Sequence, residues 1–191
     1  MKTATSTLRT EHEAILSMLE ATEEAARRAE LGEPVSAGTL AGLLEFFKVF
    51  ADRCHHGKEE ELLFPLLERK GMPRNGGPVG VMLVEHEQGR ALMRRMTAAL
   101  EELTAGNAGA CRIWAEAARA YSALLRAHIN KENNILFMMA ERLLSEAEQA
   151  ELAEAFEKLE AEKIGAGTHE RLHGSMKELR AEIFAPVHAA R

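Results

Sequence analysis

Aromatic residues are scarce in this 191-residue chain: seven Phe, one Tyr and one Trp amount to 5% of it. That scarcity, with Ala, Leu, Glu and Arg dominant, favours helices over sheets. The two cysteines, Cys54 and Cys111, exclude a disulfide scaffold and form no metal-type or redox-type pair. Basic charge is in deficit, 24 Lys and Arg against 30 Asp and Glu for a net −6, so there is no electrostatic footprint for nucleic acid. No stretch approaches the roughly 18 uninterrupted apolar residues of a membrane span. Residues Met1 to Thr10 also lack the apolar core of a signal peptide. The expectation is a soluble, cytoplasmic, all-α protein with no nucleic-acid or membrane partner. Its 46% hydrophobic content is enough for a real core.

Breakers divide the chain at Leu31-Gly32-Glu33-Pro34, at Gly71 to Pro78 and at Ala105 to Gly109. Between them apolar residues recur at helical spacing, as in Leu43, Leu44, Phe47 and Phe50, or Ile113, Ala117, Tyr121, Leu124 and Leu125. Helices are predicted over about Thr5–Glu30, Ala37–Arg69, Val79–Leu103 and Ala110–Leu144. Ser145-Glu146-Ala147-Glu148 reads as a capping box opening a fifth helix to about Ile164, and Gly165-Ala166-Gly167-Thr168 caps a sixth to about Phe184. Short connections make neighbours antiparallel, so residues 1–144 are expected to form an up-down antiparallel four-helix bundle. Residues 145–191 then add two C-terminal helices packed on the same domain.

The most informative feature is an internal repeat. The segment Arg53 to Phe64 aligns with Arg126 to Phe137 at an offset of 73, and Glu11-His12-Glu13 aligns with Glu85-His86-Glu87 at 74. The recurring pairs are His12/His86, His55/His128 and Glu59/Glu132, with Lys58/Lys131 as a fourth, non-ligating pair. His55 and Glu59 are spaced i, i+4 and share a helix face, as do His128 and Glu132. A lone pair of this kind reads as a solvated ion pair. Its duplication in order across four helices points inward instead, where facing carboxylates would be costly without a cation. Four imidazoles and two bridging carboxylates suit two iron or manganese ions with open positions better than a closed zinc site.

These blocks resemble the hemerythrin-like (HHE cation-binding) family over about residues 8 to 142. The residues that carry the resemblance are Glu85-His86-Glu87, His55-x-x-Lys58-Glu59-Glu60-x-Leu62-Leu63-Phe64-Pro65 and His128-x-x-Lys131-Glu132-Asn133-x-Ile135-Leu136-Phe137. The resemblance implies two iron ions per chain in an oxo- or hydroxo-bridged centre, with manganese or zinc as alternatives. It makes His12, His55, Glu59, His86, His128 and Glu132 the ligands, Glu59 and Glu132 bridging. Arg90 stands where the oxygen carriers of the family have a second histidine on the third helix, so an extra vacancy is expected there. The four-His, two-Glu set is more similar to that of bacterial iron–sulfur cluster repair proteins. The implied function is binding or reduction of oxygen, peroxide or nitric oxide at the di-iron centre. The alternative is an iron storage, delivery or sensing module without turnover.

Other residues read more plainly. His56 lies about 100° from His55 on an α-helix and is expected to flank a helix interface, because its repeat partner is Ile129, with an approach to the first iron as the competing reading. His169 and His173 are expected to be a solvated helix start, with an extra ligand as the competing reading. Met93, Met96, Met138 and Met139 are expected to fill the core. Pro65 is expected to kink or end the second helix. Trp114 and Tyr121 read as packing residues, and Cys54 as a core thiol.

Overall fold

The computed structural model describes residues 3–163, 165 and 168–185, with the side chains at 168–170 and 173 excepted. All regular structure among the described residues is helical. The helices are α1 (Ala4–Glu30), α2 (37–69), α3 (Pro78–Thr104), α4 (110–143), α5 (Glu146–Lys163) and α6 (Thr168–Phe184). Every described boundary lies within two residues of the sequence expectation, for local reasons. Thr3 and Ser6 form a capping box at the start of α1. The Ser145 and Glu148 side chains each accept the other's backbone N–H at the start of α5. After α1 and α2 the chain turns at Gly32 (φ 71°) and Gly71 (φ 95°), where the left-handed backbone disfavours a side chain.

Ion pairs set the relative directions. Arg9 reaches Glu141 while Arg126 pairs with Glu23 and Arg119 with Glu30, so α1 and α4 run antiparallel. Glu85 pairs with Lys131 and Arg95 with Glu116, so α3 and α4 do the same. Asp52 and Glu60 both meet Arg90, and Glu60 meets His86, which places α2 against α3.

Two apolar clusters fill the bundle. One holds Ile15, Phe47, Phe50, Met96, Trp114 and Tyr121, and the other Leu8, Phe64, Leu67, Met82 and Phe137. The second is joined by Leu152 and Phe156 of α5, the first by Leu172, Met176 and Ile183 of α6. Between the clusters, at the level of residues 12, 55, 86 and 128, lies a buried polar layer. Among the described residues no helix is long and apolar enough to cross a membrane.

Candidate metal centre

Helix α2 departs from α geometry at this layer. It is π-helical over Phe47–His56 and Glu59–Leu63, and α4 is π-helical over Glu132–Leu136. In both repeats the wider turn opens at the glutamate: Phe64 N–H bonds to the Glu59 carbonyl and Phe137 N–H to that of Glu132. π turns of this kind concentrate at functional sites. More residues per turn also means that consecutive side chains diverge by less than the 100° of an α-helix. His55 and His56 can therefore both face the bundle axis.

Two groups of buried donor atoms result. His12, His55, Glu59 and Glu132 form one, and His56, Glu59, His86 and His128 the other, with the ligand atoms of each group within 4.8 Å of one another. The Nε2 atoms of His12 and His55 are 3.0 Å apart, and those of His86 and His128 are 3.1 Å apart. Each carboxylate spans the two groups. Glu132 places one oxygen 3.1 Å from His12 Nε2 and the other 3.2 Å from His128 Nε2. Glu59 places its oxygens 3.7 Å from His55 Nε2 and 3.6 Å from His86 Nε2.

The other face of each ring is held by an oxygen. His12 Nδ1 (on α1) meets Asn133 Oδ1 of α4 at 2.9 Å, and His128 Nδ1 (on α4) meets Glu85 of α3 at 2.9 Å. His86 Nδ1 (on α3) meets Glu60 of α2 at 2.6 Å, and His55 Nδ1 (on α2) meets Glu11 of α1 at 2.9 Å. The four bonds close a ring around the bundle. His56 is held within its own helix, by Asp52 at 3.4 Å. Behind this shell Lys58 donates to Glu11, and Lys131 to Glu85. The repeat therefore extends to the supports, with one substitution: Glu60 in the first half is Asn133 in the second.

An acceptor at Nδ1 fixes the tautomer of a neutral ring, whose Nε2 then turns a lone pair inward; without metal His128 is the exception, since Glu132 and Glu85 hold it up against its burial. Burial drives the same outcome, pushing His55 down to about 4 and His56 and His86 down to about 3. Burial and the neighbouring Glu132 push the Glu59 carboxyl well up, while His128 and His12 hold Glu132 down against its own burial. All four carboxylate oxygens of Glu59 and Glu132, and His56 Nε2, are buried without a hydrogen-bond partner. Orphaned acceptors and inward lone pairs at about 3 Å fit bound cations, since adjacent ligands on an ion with bonds of about 2.1 Å sit at that separation.

A family model, the hemerythrin HHE cation binding domain, matches residues 3–140. The chain belongs to this family. An uncharacterized protein of Mycobacterium tuberculosis is 27% identical over 163 residues, 85% of this chain and 63% of its own length, so the chain spans less than two thirds of that relative. An iron-sulfur cluster repair protein of Edwardsiella ictaluri is 36% identical over 89 residues, 45% of this chain and 40% of that protein. One from an Enterobacter species is 33% identical over 109 residues, 54% of this chain and 49% of that protein. No solved structure matches the chain at a significant level.

Against the hemerythrin HHE pattern, several sequence expectations need correction. His56 does not flank an interface: it faces the centre, its ring 3.8 Å from that of His86. The available signal was Asp52 and Glu60 at i−4 and i+4, but an α-helical wheel turns His56 away. Arg90 belongs to neither donor group. It lies outside, 25% exposed, bonding Asp52, Glu60 and Glu87, and so braces the acceptors of His56 and His86. Pro65 does not end α2: it falls in the first turn of the α-helical segment that follows the π turn, and the helix runs on to Arg69. Met93 and Met96 are buried, but Met138, Met139 and Ile113 are exposed. Trp114 and Tyr121 are buried in the core, as is the free thiol of Cys54. The side chains of His169 and His173, and the cap at Ala166-Gly167, lie outside the described residues.

Proposed function

We propose that this hemerythrin HHE protein is a non-haem di-iron protein that binds or reduces a small ligand: oxygen, peroxide or nitric oxide. In this reading residues 4–143 are an up-down antiparallel four-helix bundle. His12 and His55 would hold one iron and His56, His86 and His128 the other, with Glu59 and Glu132 shared between the two groups. Iron supplies one-electron chemistry and open coordination positions, and the protein supplies orientation and exclusion of water. The observation that carries the reading is the set of five inward imidazole nitrogens around four carboxylate oxygens that have no hydrogen-bond partner. The donor count is uneven, three imidazoles against two, so the exchangeable position is assigned to the His12/His55 iron. Mixed nitrogen and oxygen donors with no thiolate favour iron or manganese over structural zinc. A cytoplasmic location would keep Cys54 and Cys111 as the free thiols they are in the structure.

Metal analysis with an ultraviolet-visible spectrum of the purified protein tests this reading. About two irons per chain and an oxo-bridged diferric band, perturbed by azide, are expected; a colourless protein with stoichiometric zinc would overturn it. A second reading, iron storage, delivery or sensing without turnover, draws on the likeness to iron-sulfur cluster repair proteins. Delivery would show as iron transfer from the loaded protein to an apo-protein that assembles a cluster, with no consumption of peroxide or oxygen.

A further inference from the structure

The two halves of the centre differ in what stands behind the supporting lysines. Lys131, which holds Glu85 behind His128, is 34% exposed. Lys58, which holds Glu11 behind His55 at 2.5 Å, is 1% exposed and donates a second bond to Glu160 Oε2 at 2.6 Å. Glu160 belongs to α5, outside the repeat, and has no counterpart in the other half among the described residues. The thiol of Cys54 is directed at the same carboxylate oxygen at 3.7 Å. Helix α5 is fastened along α2 by Lys70–Glu148 at 2.6 Å and Lys163–Glu61 at 3.0 Å, and its Leu159 packs over Gly57.

We infer that Glu160 is a positioning residue of the metal centre, acting on His55 through Lys58 and Glu11. This rests on the proposal that His12 and His55 hold one of two irons. A buried ammonium carries three donors and cannot leave them unpaired, so with Glu11 alone it would concentrate its charge there. Sharing Lys58 with Glu160 leaves Glu11 more of its negative charge to draw on the Nδ1–H of His55. That in turn makes His55 Nε2 a stronger donor, because a carboxylate behind a ligating imidazole raises its basicity. The His86/His128 half has no such arrangement, since Lys131 faces water, which screens it. Helix α5 is thereby part of the centre, and the coupling acts on the half assigned the exchangeable position.

The test compares iron-loaded wild type with Glu160→Gln and Glu160→Asp by chelator competition, by the visible spectrum of the azide complex and by midpoint potential. Glu160→Gln is expected to bind one of the two irons about tenfold more weakly, to shift the azide band and to raise the potential, with helix content unchanged. Glu160→Asp is expected to restore most of each. If Glu160→Gln holds both irons as wild type does, with the same spectrum and potential, the inference fails while the two-iron reading stands. If it loses both irons equally together with α5 helicity, Glu160 is only an anchor and the inference fails too. A wild type that never binds two ions would instead overturn the two-iron reading.

Discussion

His56 lies flat against His86, ring centroids 3.8 Å apart and planes 17° from parallel, although the two residues come from different helices. The stacking holds His56 Nε2 in the same pocket as His86 Nε2 and His128 Nε2. Replacing His56 with Phe keeps a ring in that place but removes the nitrogen. One of the two irons should then bind at least about tenfold more weakly, read by chelator competition. Equal retention of both irons would leave His56 with a packing role alone.

Glu59→Gln should reverse its effect on stability according to metal content. Without metal, burial and the neighbouring Glu132 hold the Glu59 carboxyl in its protonated form at neutral pH, at a cost to stability that a neutral amide does not carry. The metal-free variant should therefore be more stable than metal-free wild type, by about 1–3 kcal/mol. With metal, loss of a bridging carboxylate should abolish assembly of the two-iron centre and the stabilisation that binding adds. Melting temperatures of both forms, with and without iron, check the crossing. A variant that keeps full iron and an unchanged spectrum would remove Glu59 from the bridge.

Acid should destabilise the metal-free protein in two stages. His55, His56 and His86 are held neutral, below the usual 6.5, by burial. Their folded values are depressed, so their contribution to stability is complete above pH 6.5 and is lost as pH falls towards 4 and then 3. Burial works against ionisation of Glu11, yet His55 and Lys58 hold it down to about 2, from 4.5. Its contribution is complete above pH 4.5 and is lost as pH falls through about 2. The shift corresponds to about 3 kcal/mol. Urea midpoints should fall for wild type from pH 4.5 to 2.5, whereas between pH 7 and 4.5 protonation of Glu59 and His128, both held up, offsets part of the histidine loss. Glu11→Gln should be less stable at pH 7 and flatter below 4.5, and parallel curves would count against this assignment.

Pro65→Ala should leave both irons in place and change stability by less than about 1 kcal/mol. The repeat position of Pro65 is Met138, yet α4 makes the same π turn over Glu132–Leu136 without a proline. The turn therefore does not depend on the missing N–H. Loss of iron from this variant would show that it does in α2.

The helices were legible because their boundaries rest on local signals: Ser145 with Glu148, the glycines at 32 and 71, and apolar spacing between them. The duplicated His55/Glu59 and His128/Glu132 pairs were also legible, since an i, i+4 spacing survives a change of half a turn elsewhere. His56 was not, because a π turn changes which residues share a face and leaves no mark in composition. The bracing role of Arg90 was not legible either, because only the packed helices bring Asp52 and Glu60 of α2 to it. Met138 and Met139 follow the buried Leu136 and Phe137 but face out, because the π turn over Glu132–Leu136 changes which positions meet the core.

The ring of bonds from His12 to Asn133, His128 to Glu85, His86 to Glu60 and His55 to Glu11 involves no metal at all. Each of four helices gives one imidazole to a neighbour and takes one from another, so sliding or rotating any single helix breaks two bonds. These bonds hold the four helices in register through atoms that face away from the centre. Unlike small metal domains that fold only around their ion, this one should meet the entropic cost of ordering its ligands when its core packs, which circular dichroism of the metal-free protein would check. Ions should then enter and leave a standing cage, and their exchange should be governed by access between the helices and not by unfolding.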